Sequence, residues 1–427
     1  MSIPSAPRVL IISAVPLGSN TATGITLSNL FSDWPLDRIA QLYDSPNPEP
    51  SRSPAHVYQF KSTDIPFVKF AKKILGSQKP ENQRLSEKLL QEAHGPAYSL
   101  LGALSDIVPF RLPNDLLAWA RTFKPDLIYT LMGSVRFTAL SYKLGKALQV
   151  PVVPHFMDDW PQTIYTRSLP YAIPRYILQQ RLATLLHVSN GGLTIGEDMA
   201  MEYGARYKAP FTAFMNCAQI SSIPHAMEAN SDVVKFGYVG GLHLNRWESL
   251  LSVVQALASL QAEGHSIEAH IHTSPKDVNR YRELYMQYAV VKEISSIPSP
   301  EVAQKLLSFD VLVHVESFRE KDALYTRLSL STKIPQYLAA GKPIFVFAPP
   351  QLSSTRYIVS NNAGVTIAPP ADINAIKISL LTLLSNRETR KMLGHNALAL
   401  AKKNHDMEVE KQRFRKHLTA VASRTKI

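Results

Sequence analysis

Residues 328–347 read Leu-Ser-Leu-Ser-Thr-Lys-Ile-Pro-Gln-Tyr-Leu-Ala-Ala-Gly-Lys-Pro-Ile-Phe-Val-Phe, and they predict a short helix followed by a buried strand. Ser331 or Thr332 is suited to cap the helix, because a hydroxyl accepts a hydrogen bond from a free first-turn amide. Gly341 falls where a helix ends in the left-handed conformation. The apolar run Ile344–Phe347 is typical of a strand.

The start of this predicted helix suits an anion. Lys333 lies at the positive end of the helix dipole, next to the hydroxyls and amides of Ser331 and Thr332. Free amides and a cation at a helix N-terminus favour a phosphate group. An ordinary capped helix with a solvated lysine is the alternative interpretation.

Length and cysteine content limit the class of protein. A chain of 427 residues predicts two domains of roughly 200 residues each. Cys217 is the single cysteine, so no internal disulfide can form, which is typical of a reducing compartment. The apolar run Val9–Val15 is short for the core of a signal peptide, and no basic region of any length precedes it. No apolar run approaches the ~20 residues that a membrane-spanning helix needs. We expect a cytoplasmic protein.

The formal net charge of +12 indicates an anionic partner or a basic solvated surface. The sequence contains no nucleic-acid-binding motif, which favours a nucleotide phosphate or an anionic membrane surface over nucleic acid. Residues 65–75 alternate apolar side chains with three lysines. This pattern fits docking at the inner membrane face and equally fits a plain surface helix.

Strand-like and helix-like segments alternate along both halves of the chain. A strand at Arg8–Val15 is followed by a glycine-containing loop, Gly18–Gly24, and by a helix at Ile25–Phe31, which is how a doubly wound α/β domain opens. The polar stretch 221–232 separates this half from a second one that restarts with a strand at Val234–Val239. We predict domains at 1–220 and 232–404, and a C-terminal helix at 405–427 that packs back on the first domain.

Polar side chains follow several of the predicted strands, where ligands of open α/β sheets bind. In the first half, His155, Asp158 and Asp159 lie just past a strand, and one of them could take a proton from an acceptor hydroxyl. The alternative is that an aspartate caps the next turn.

In the second half, Gly240-Gly241 would allow close approach of the backbone to a diphosphate, and Arg246 and Lys333 would supply positive charge. A simple tight turn and a solvated arginine are the alternatives. Other candidates for the same ligand site are His272, Thr273, Glu316, Glu320, Ser331, Thr332 and Gln336.

No metal cofactor is expected from the sequence. Cysteine pairs, His-Glu-x-x-His and Asp-x-Asp are all missing, and His270 and His272 would share a strand face without a third ligand. A serine hydrolase is also disfavoured, because Gly-x-Ser-x-Gly does not occur.

Several of these segments together resemble the GT-B glycosyltransferases, and within them the retaining, family 4-like group. The similarity covers most of the chain, and its most specific part is Tyr337-Leu-Ala-Ala-Gly-Lys-Pro343 preceded by Ser-Thr-Lys-Ile-Pro. The other segments that carry it are Gly18–Gly24, Lys124-Pro-Asp126, Asn216 (followed here by Cys217 in place of a glycine), Tyr238-Val-Gly-Gly241 and Phe309-Asp310.

The resemblance implies two Rossmann-like, doubly wound domains facing a central cleft. It implies transfer of a sugar from a nucleotide-diphosphate sugar, held by the C-terminal domain, to a saccharide or lipid-linked acceptor, held by the N-terminal domain, often in bacterial cell-surface polysaccharide pathways. By position, Gly241 and Arg246 match the diphosphate loop, and residues 331–333 match a second phosphate contact. His155, Asp158 or Asp159 would match the acceptor side.

The chain departs from the family at its pair of glutamates. Gln336 stands where the family has its ribose-binding glutamate, and an amide binds a hydroxyl with less energy than a carboxylate. Strict spacing places the first glutamate at Leu328, so Glu316 and Glu320 compete for its role. A sugar-nucleotide epimerase and a non-catalytic partner of the same architecture are the alternatives to a transferase.

Overall fold

The computed structural model describes residues 6–19, 21–44, 54–60, 103–104, 106–165, 169–220, 232–367 and 372–423. The chain divides into two compact units, one made of Met1–Met215 with Lys411–Ile427 and the other of Asn216–Glu410. Within the described ranges, none of the helices has the length and apolarity to cross a membrane.

The first unit is built on a parallel sheet of seven strands in the order β3-β2-β1-β4-β5-β6-β7. Its inner strands are continuous apolar runs, as expected where helices cover both faces of a sheet. The strands are β1 Val9–Ser13, β2 Ile39–Tyr43, β3 His56–Gln59, β4 Leu127–Met132, β5 Val152–Phe156, β6 Gly192–Thr194 and β7 Phe211–Ala213.

Helices follow the strands of this sheet in alternation. They are α1 Ala22–Leu30, α2 Asn114–Phe123, α3 Val135–Leu148, α4 Trp160–Thr163, α5 Ala172–Ser189 and α6 Glu197–Tyr207, with short 3-10 turns at Leu36–Arg38 and Leu169–Tyr171.

The second unit repeats the design with six parallel strands in the order β10-β9-β8-β11-β12-β13. The strands are β8 Val234–Val239, β9 Ile267–His272, β10 Val291–Ser295, β11 Val311–Val315, β12 Ile344–Phe347 and β13 Gly364–Thr366. The helices are α7 Arg246–Ala262, α8 Pro275–Met286, α9 Val302–Leu307, α10 Glu320–Thr326, α11 Ile334–Ala339, α12 Ser353–Ser360, α13 Ile373–Ser385 and α14 Arg387–Asn404, with a 3-10 turn at Ser299–Glu301. The last helix, α15 Met407–Ala422, begins in the second unit and belongs to the first unit from Lys411 onward.

The predicted α/β class with two doubly wound domains is confirmed. In each sheet the first strand of the unit has the second strand on one side and the fourth on the other, so the winding direction reverses there. In the second unit this reversal lies between β8 and β11. A crevice opens outside the carboxyl ends of such a strand pair, and it is the usual ligand position in open α/β sheets.

The last helix contributes to the core of the first unit. Phe414 of α15 is fully buried, with its ring centroid 5.1 Å from that of Phe31 and 5.6 Å from that of Tyr129. Leu418, one turn later, is buried in the same apolar cluster. The first unit therefore completes its core with residues from the end of the chain.

Two local predictions were wrong. Helix α1 starts at Ala22 with Thr21 as its cap, so Gly24 lies in the first turn and not in a loop. Helix α11 is capped by Lys333 and not by Ser331 or Thr332, and Lys333 makes no side-chain capping bond. Just before this helix, the amide of Ile334 donates to the carbonyl of Ser331 in a backbone turn. The helix therefore begins at Ile334, after that turn.

The second half of the segment 328–347 was predicted correctly. Gly341 adopts a left-handed φ of 64°, and the buried strand spans Ile344–Phe347. The amphipathic segment 65–75 lies outside the described residues.

Candidate functional site

The carboxyl ends of β8 and β11 in the second unit bring several of the candidate residues together. Gly240 follows the last residue of β8, and Glu316 follows the last residue of β11. Arg246 opens α7, directly after the loop that leaves β8. Because the strands are parallel and adjacent, the residues that follow them share one edge of the sheet.

Gly240 and Gly241 have no side chains, so the side chains of other residues can approach the backbone of this loop closely. A Cβ on Gly240 would come within 3.2 Å of Lys333 Cδ and 3.4 Å of its Nζ. A Cβ on Gly241 would meet His243 Nδ1 at 2.7 Å. Glycine at 240 therefore leaves room for the lysine to lie against the loop.

Lys333 brings a positive charge to this loop. Its Nζ lies 4.5 Å from the ring centroid of Tyr238, within the range of a cation–π contact. Burial and then the charge of Arg246 lower the pKa of Lys333 to about 7, whereas Glu316 acts to raise it. The residue as a whole is half-buried. Among the described residues no carboxylate forms a direct ion pair with it, so the ammonium can contact a bound anion without breaking such a pair.

Arg246 is engaged differently. Its Nε donates to Glu316 Oε2 at 2.8 Å and its Nη2 to Oε1 at 3.0 Å, a bidentate pair in which both residues are buried. Its Nη1 lies 2.9 Å from His243 Nε2. This arrangement balances the guanidinium charge within the protein. The predicted diphosphate contact of Arg246 stays a prediction, and the structure shows it anchored on Glu316.

His314 is a member of the cluster that the sequence did not reveal. It lies in β11 and is fully buried, and its Nε2 is 3.8 Å from Glu316 Oε1. Within the described part of the chain neither ring nitrogen has a hydrogen-bond partner. Burial, followed by the charges of Lys333 and Arg246, holds the pKa of His314 well below its usual value. A histidine inside the apolar run Val311–Val315 was the available signal.

The two candidate glutamates occupy different environments. Glu316 is buried and paired with Arg246, whereas Glu320 is exposed in the first turn of α10. Leu328, the position given by strict spacing, is a buried core residue. Glu316 is therefore the glutamate that is fixed beside Lys333.

The remaining donor-side candidates lie around this cluster. His272 Nδ1 is 2.9 Å from Ser295 Oγ, and burial lowers the pKa of His272 to about 4 although Glu293 acts to raise it. Thr273 donates to Asp277 Oδ2 at 3.1 Å. The structure thus places both side chains in contacts with neighbouring elements of their own unit.

Residues 331–336 surround the start of α11. The carbonyl of Thr332 accepts a hydrogen bond of 2.7 Å from Asn216 Nδ2. Ser331 and Gln336 are partly exposed. Neither residue is closed off in the core of the second unit.

In the first unit, His155 lies inside β5 and is fully buried. Its Nδ1 is 2.6 Å from the hydroxyl of Tyr129, and burial lowers its pKa to about 3, so the ring is neutral at physiological pH. Its predicted role towards an acceptor stays a prediction, and the observed contacts are those of a core histidine.

Asp159 is a buried carboxylate at the start of α4. Its Oδ1 accepts hydrogen bonds from Tyr203 at 2.9 Å and from Arg206 at 2.8 Å, and its Oδ2 accepts from Arg206 at 3.1 Å. These bonds join the loop after β5 to α6. Asp158, its neighbour, is partly exposed and is the more accessible of the two aspartates.

We expect Asp159→Ala to destabilise the first unit by about 2–3 kcal/mol, because it leaves the guanidinium of Arg206 without its buried partner. Asp158→Ala is the matched control and should change the unfolding free energy by less than about 1 kcal/mol. Urea denaturation of both variants measures the difference. Equal losses in the two variants would contradict this account of Asp159.

The predicted acceptor loop has its own hydrogen bonds. Gly18 has a left-handed φ of 85°, and its amide donates to Ser28 Oγ at 3.0 Å. A Cβ on Gly24 would come within 2.4 Å of the Ser19 carbonyl oxygen. Both glycines are required by the close return of the loop onto α1.

The described residues contain no group of three or more His, Cys, Asp or Glu side chains arranged to hold a metal ion. No family model matches the chain. No curated protein sequence matches it either.

Solved structures do resemble the protein. HepE from Anabaena, in complex with UDP-glucose, is 14% identical over 96% of this chain and 99% of its own, with a TM-score of 0.58. Sucrose-phosphate synthase from Thermosynechococcus elongatus is 12% identical over 97% and 100%, with a TM-score of 0.61. WaaG, a glycosyltransferase involved in lipopolysaccharide biosynthesis, is 12% identical over 96% and 99%, with a TM-score of 0.52. At these identities the likeness establishes the GT-B fold.

Proposed function

We propose that this protein is a glycosyltransferase that moves a sugar from a nucleotide-diphosphate sugar to a saccharide or lipid-linked acceptor. The carrying observation is the ammonium of Lys333, which lies beside Gly240 at the strand-order reversal of the second unit. Two of the similar structures support the ligand class, since one is described with UDP-glucose and another is a sucrose-phosphate synthase.

The proposed chemistry is electrostatic. As the bond between the sugar and the diphosphate breaks, negative charge develops on the leaving phosphate oxygens. Lys333 and the backbone amides of the glycine loop would stabilise that charge, and the bidentate pair of Arg246 with Glu316 would hold the loop in place. The proposal includes no metal cofactor, because the lysine supplies the cation. It also includes retention at the anomeric carbon, a hexosyl donor and a role in cell-surface polysaccharide synthesis.

On the acceptor side, the proposal assigns the first unit. Asp158 is the aspartate best placed to meet a hydroxyl, since the carboxylate of Asp159 is committed to Arg206 and Tyr203. A partly exposed carboxylate could orient the hydroxyl or accept its proton.

A panel of UDP-, GDP-, ADP- and dTDP-sugars tests the donor site. A donor present at 100 times its dissociation constant should stabilise the protein by about 2.7 kcal/mol, which a thermal melt detects. Incubating the stabilising donor with saccharide acceptors then separates transfer from epimerisation, because an epimerase changes the sugar without an acceptor. If none of the donors shifts the melting temperature, the proposed function loses its basis.

Donor affinity should fall as the pH rises above 7. The diphosphate binds Lys333 in its protonated form and raises the pKa of Lys333 in the complex. In the free protein the pKa of Lys333 is about 7, so above that pH binding requires the uptake of a proton. We expect the dissociation constant to rise by up to about tenfold per pH unit between pH 7 and 9. Titration calorimetry at several pH values measures this slope.

Lys333→Arg is the matched control for the pH effect, because a guanidinium remains protonated throughout this range. The variant should bind the donor with little pH dependence. A slope as steep in Lys333→Arg as in the wild type would assign the titration to another group.

A further inference from the structure

Asn216, the first residue of the second unit, is tied to the loop that carries Lys333. The residue is buried, and its Nδ2 donates to the carbonyl of Thr332 at 2.7 Å. A carbonyl oxygen only accepts hydrogen bonds, so the nitrogen of the side-chain amide must be the atom that faces it. Thr332 directly precedes Lys333 in the sequence. The bond therefore fixes the backbone from which the lysine side chain leaves.

The backbone of Asn216 is itself held in place. Its carbonyl accepts a hydrogen bond of 3.0 Å from Nδ1 of His405, the fully buried residue that follows α14. Because Nδ1 carries the proton and burial keeps the pKa of this histidine at about 4, its Nε2 accepts from the hydroxyl of Tyr357, at 2.9 Å. The amide of Ala218 donates to the carbonyl of His405 at 2.9 Å. The amide that holds Thr332 thus projects from an anchored segment.

The contacts of the Lys333 side chain are less directional than this backbone bond. Its Nζ lies 4.5 Å from the ring centroid of Tyr238 and 6.0 Å from that of Tyr337. A ring attracts a cation over its whole face, so these contacts allow lateral movement of the ammonium. The position of the ammonium therefore depends on where the backbone of residues 332 and 333 is held.

We propose that Asn216 is a positioning residue of the donor site, which keeps the ammonium of Lys333 against Tyr238 by fixing the carbonyl of Thr332. It acts through the lysine and does not touch the ligand. The consequence for donor binding rests on the proposed function, whereas the effect on the ammonium requires no ligand. A bond that only stabilised the second unit would leave the properties of Lys333 unchanged when it is removed.

The protonation of Lys333 reports on its position. Burial, followed by the charge of Arg246, lowers the pKa of Lys333 to about 7. An ammonium released from this place gains solvent, so its pKa rises towards the ordinary value of 10.5. Among the described residues, the titratable and charged groups around it are Tyr238, Arg246, His314, Glu316 and Tyr337, and the variants below alter none of them.

Competitive acylation of lysines with labelled acetic anhydride, followed over pH by mass spectrometry, measures the pKa of Lys333 in the full chain. In Asn216→Leu, which fills the space of the amide without a donor, this pKa should rise by at least about 1. The donor dissociation constant at pH 7 should rise at least about tenfold, because a displaced ammonium loses its contact with the diphosphate. Asn216→Ala is the second variant, and the same changes are expected if the leucine is too bulky to fold.

Asn396→Leu is the control for these variants. Asn396 belongs to the same unit, and its Nδ2 also donates to a distant backbone carbonyl, that of Asn362 at 3.1 Å. Its replacement should change neither the pKa of Lys333 nor the donor dissociation constant. Equal changes in the Asn216 and Asn396 variants would reduce the effect to general loosening of the unit and overturn the proposal.

An unchanged pKa of Lys333 in a folded Asn216 variant would also overturn the proposal, and so would a wild-type Lys333 that titrates at its ordinary value. Failure of the proposed function has a different signature. If the wild type binds no nucleotide-sugar while the pKa of Lys333 still rises in Asn216→Leu, the donor site is refuted and the positioning of the lysine stands. Donor binding that is equally tight in the wild type and in Asn216→Leu would refute the positioning role alone.

Discussion

Lys333→Ala should abolish the thermal stabilisation by a nucleotide-sugar and lower kcat/KM at least about 100-fold. A charge-assisted contact to a phosphate contributes about 2–3 kcal/mol, and more where the charge develops in the transition state. The ammonium rests on the ring of Tyr238 beside Gly240, and the neighbouring cation Arg246 is held by Glu316, so Arg246 cannot take over the contact without leaving that pair. Thermal melts with the stabilising donor and steady-state kinetics measure both effects.

Lys305→Ala is the control for this variant. Lys305 belongs to the same unit and is also partly exposed, but its Nζ pairs with Glu293 at 3.2 Å. Its loss removes the same charge from a different place. Full donor binding by Lys333→Ala would remove the diphosphate role of this residue, and equal losses in both variants would reduce the effect to net charge.

Glu316→Ala should destabilise the second unit by about 3–5 kcal/mol, the cost of leaving one member of a buried ion pair without its partner. Arg246 would keep a charged guanidinium in a buried position, with the His243 ring near its Nη1. Urea denaturation gives the overall loss. Hydrogen exchange of peptides covering the end of β11 and the start of α7 locates it, because the pair joins the residue after β11 to the first residue of α7.

Glu320→Ala is the matched control, four residues away and exposed. It should change stability by no more than about 0.5 kcal/mol. The pair of variants also separates the two candidates for the family's first glutamate: a donor-binding loss in Glu320→Ala, with no loss in a folded Glu316→Gln, would assign the role to Glu320.

The sequence was most informative where local pattern determines structure. Buried parallel strands appear as short apolar runs, so Ile344–Phe347 and Val234–Val239 could be predicted within the residues that the structure assigns to them. The repeated alternation of strands and helices predicts the doubly wound class, whereas the position of the winding reversal is seen only in the structure. The apolar runs and their alternation depend on neighbours a few residues apart.

Side-chain partners distant in the sequence could not be predicted. Arg246 and Glu316 are 70 residues apart, and Asp159 and Arg206 are 47 apart, so nothing local indicates that either pair forms. These pairs are visible only in the structure, and the ligand contact of Arg246 and the acceptor role of Asp159 stay predictions. Tertiary packing also placed the cap of α11 at Lys333, two positions beyond Ser331.

The contribution of α15 to the first unit has a consequence for synthesis of the protein. Phe414 and Leu418 fill the apolar cluster around Phe31 and Tyr129, yet they are translated about 200 residues after the last strand of that unit. At the usual pace of a ribosome, on the order of 5–20 residues per second, the cluster stays open to water for tens of seconds. We therefore expect the nascent first unit to expose the aromatic rings of Phe31 and Tyr129 until α15 has been synthesised and packs on them.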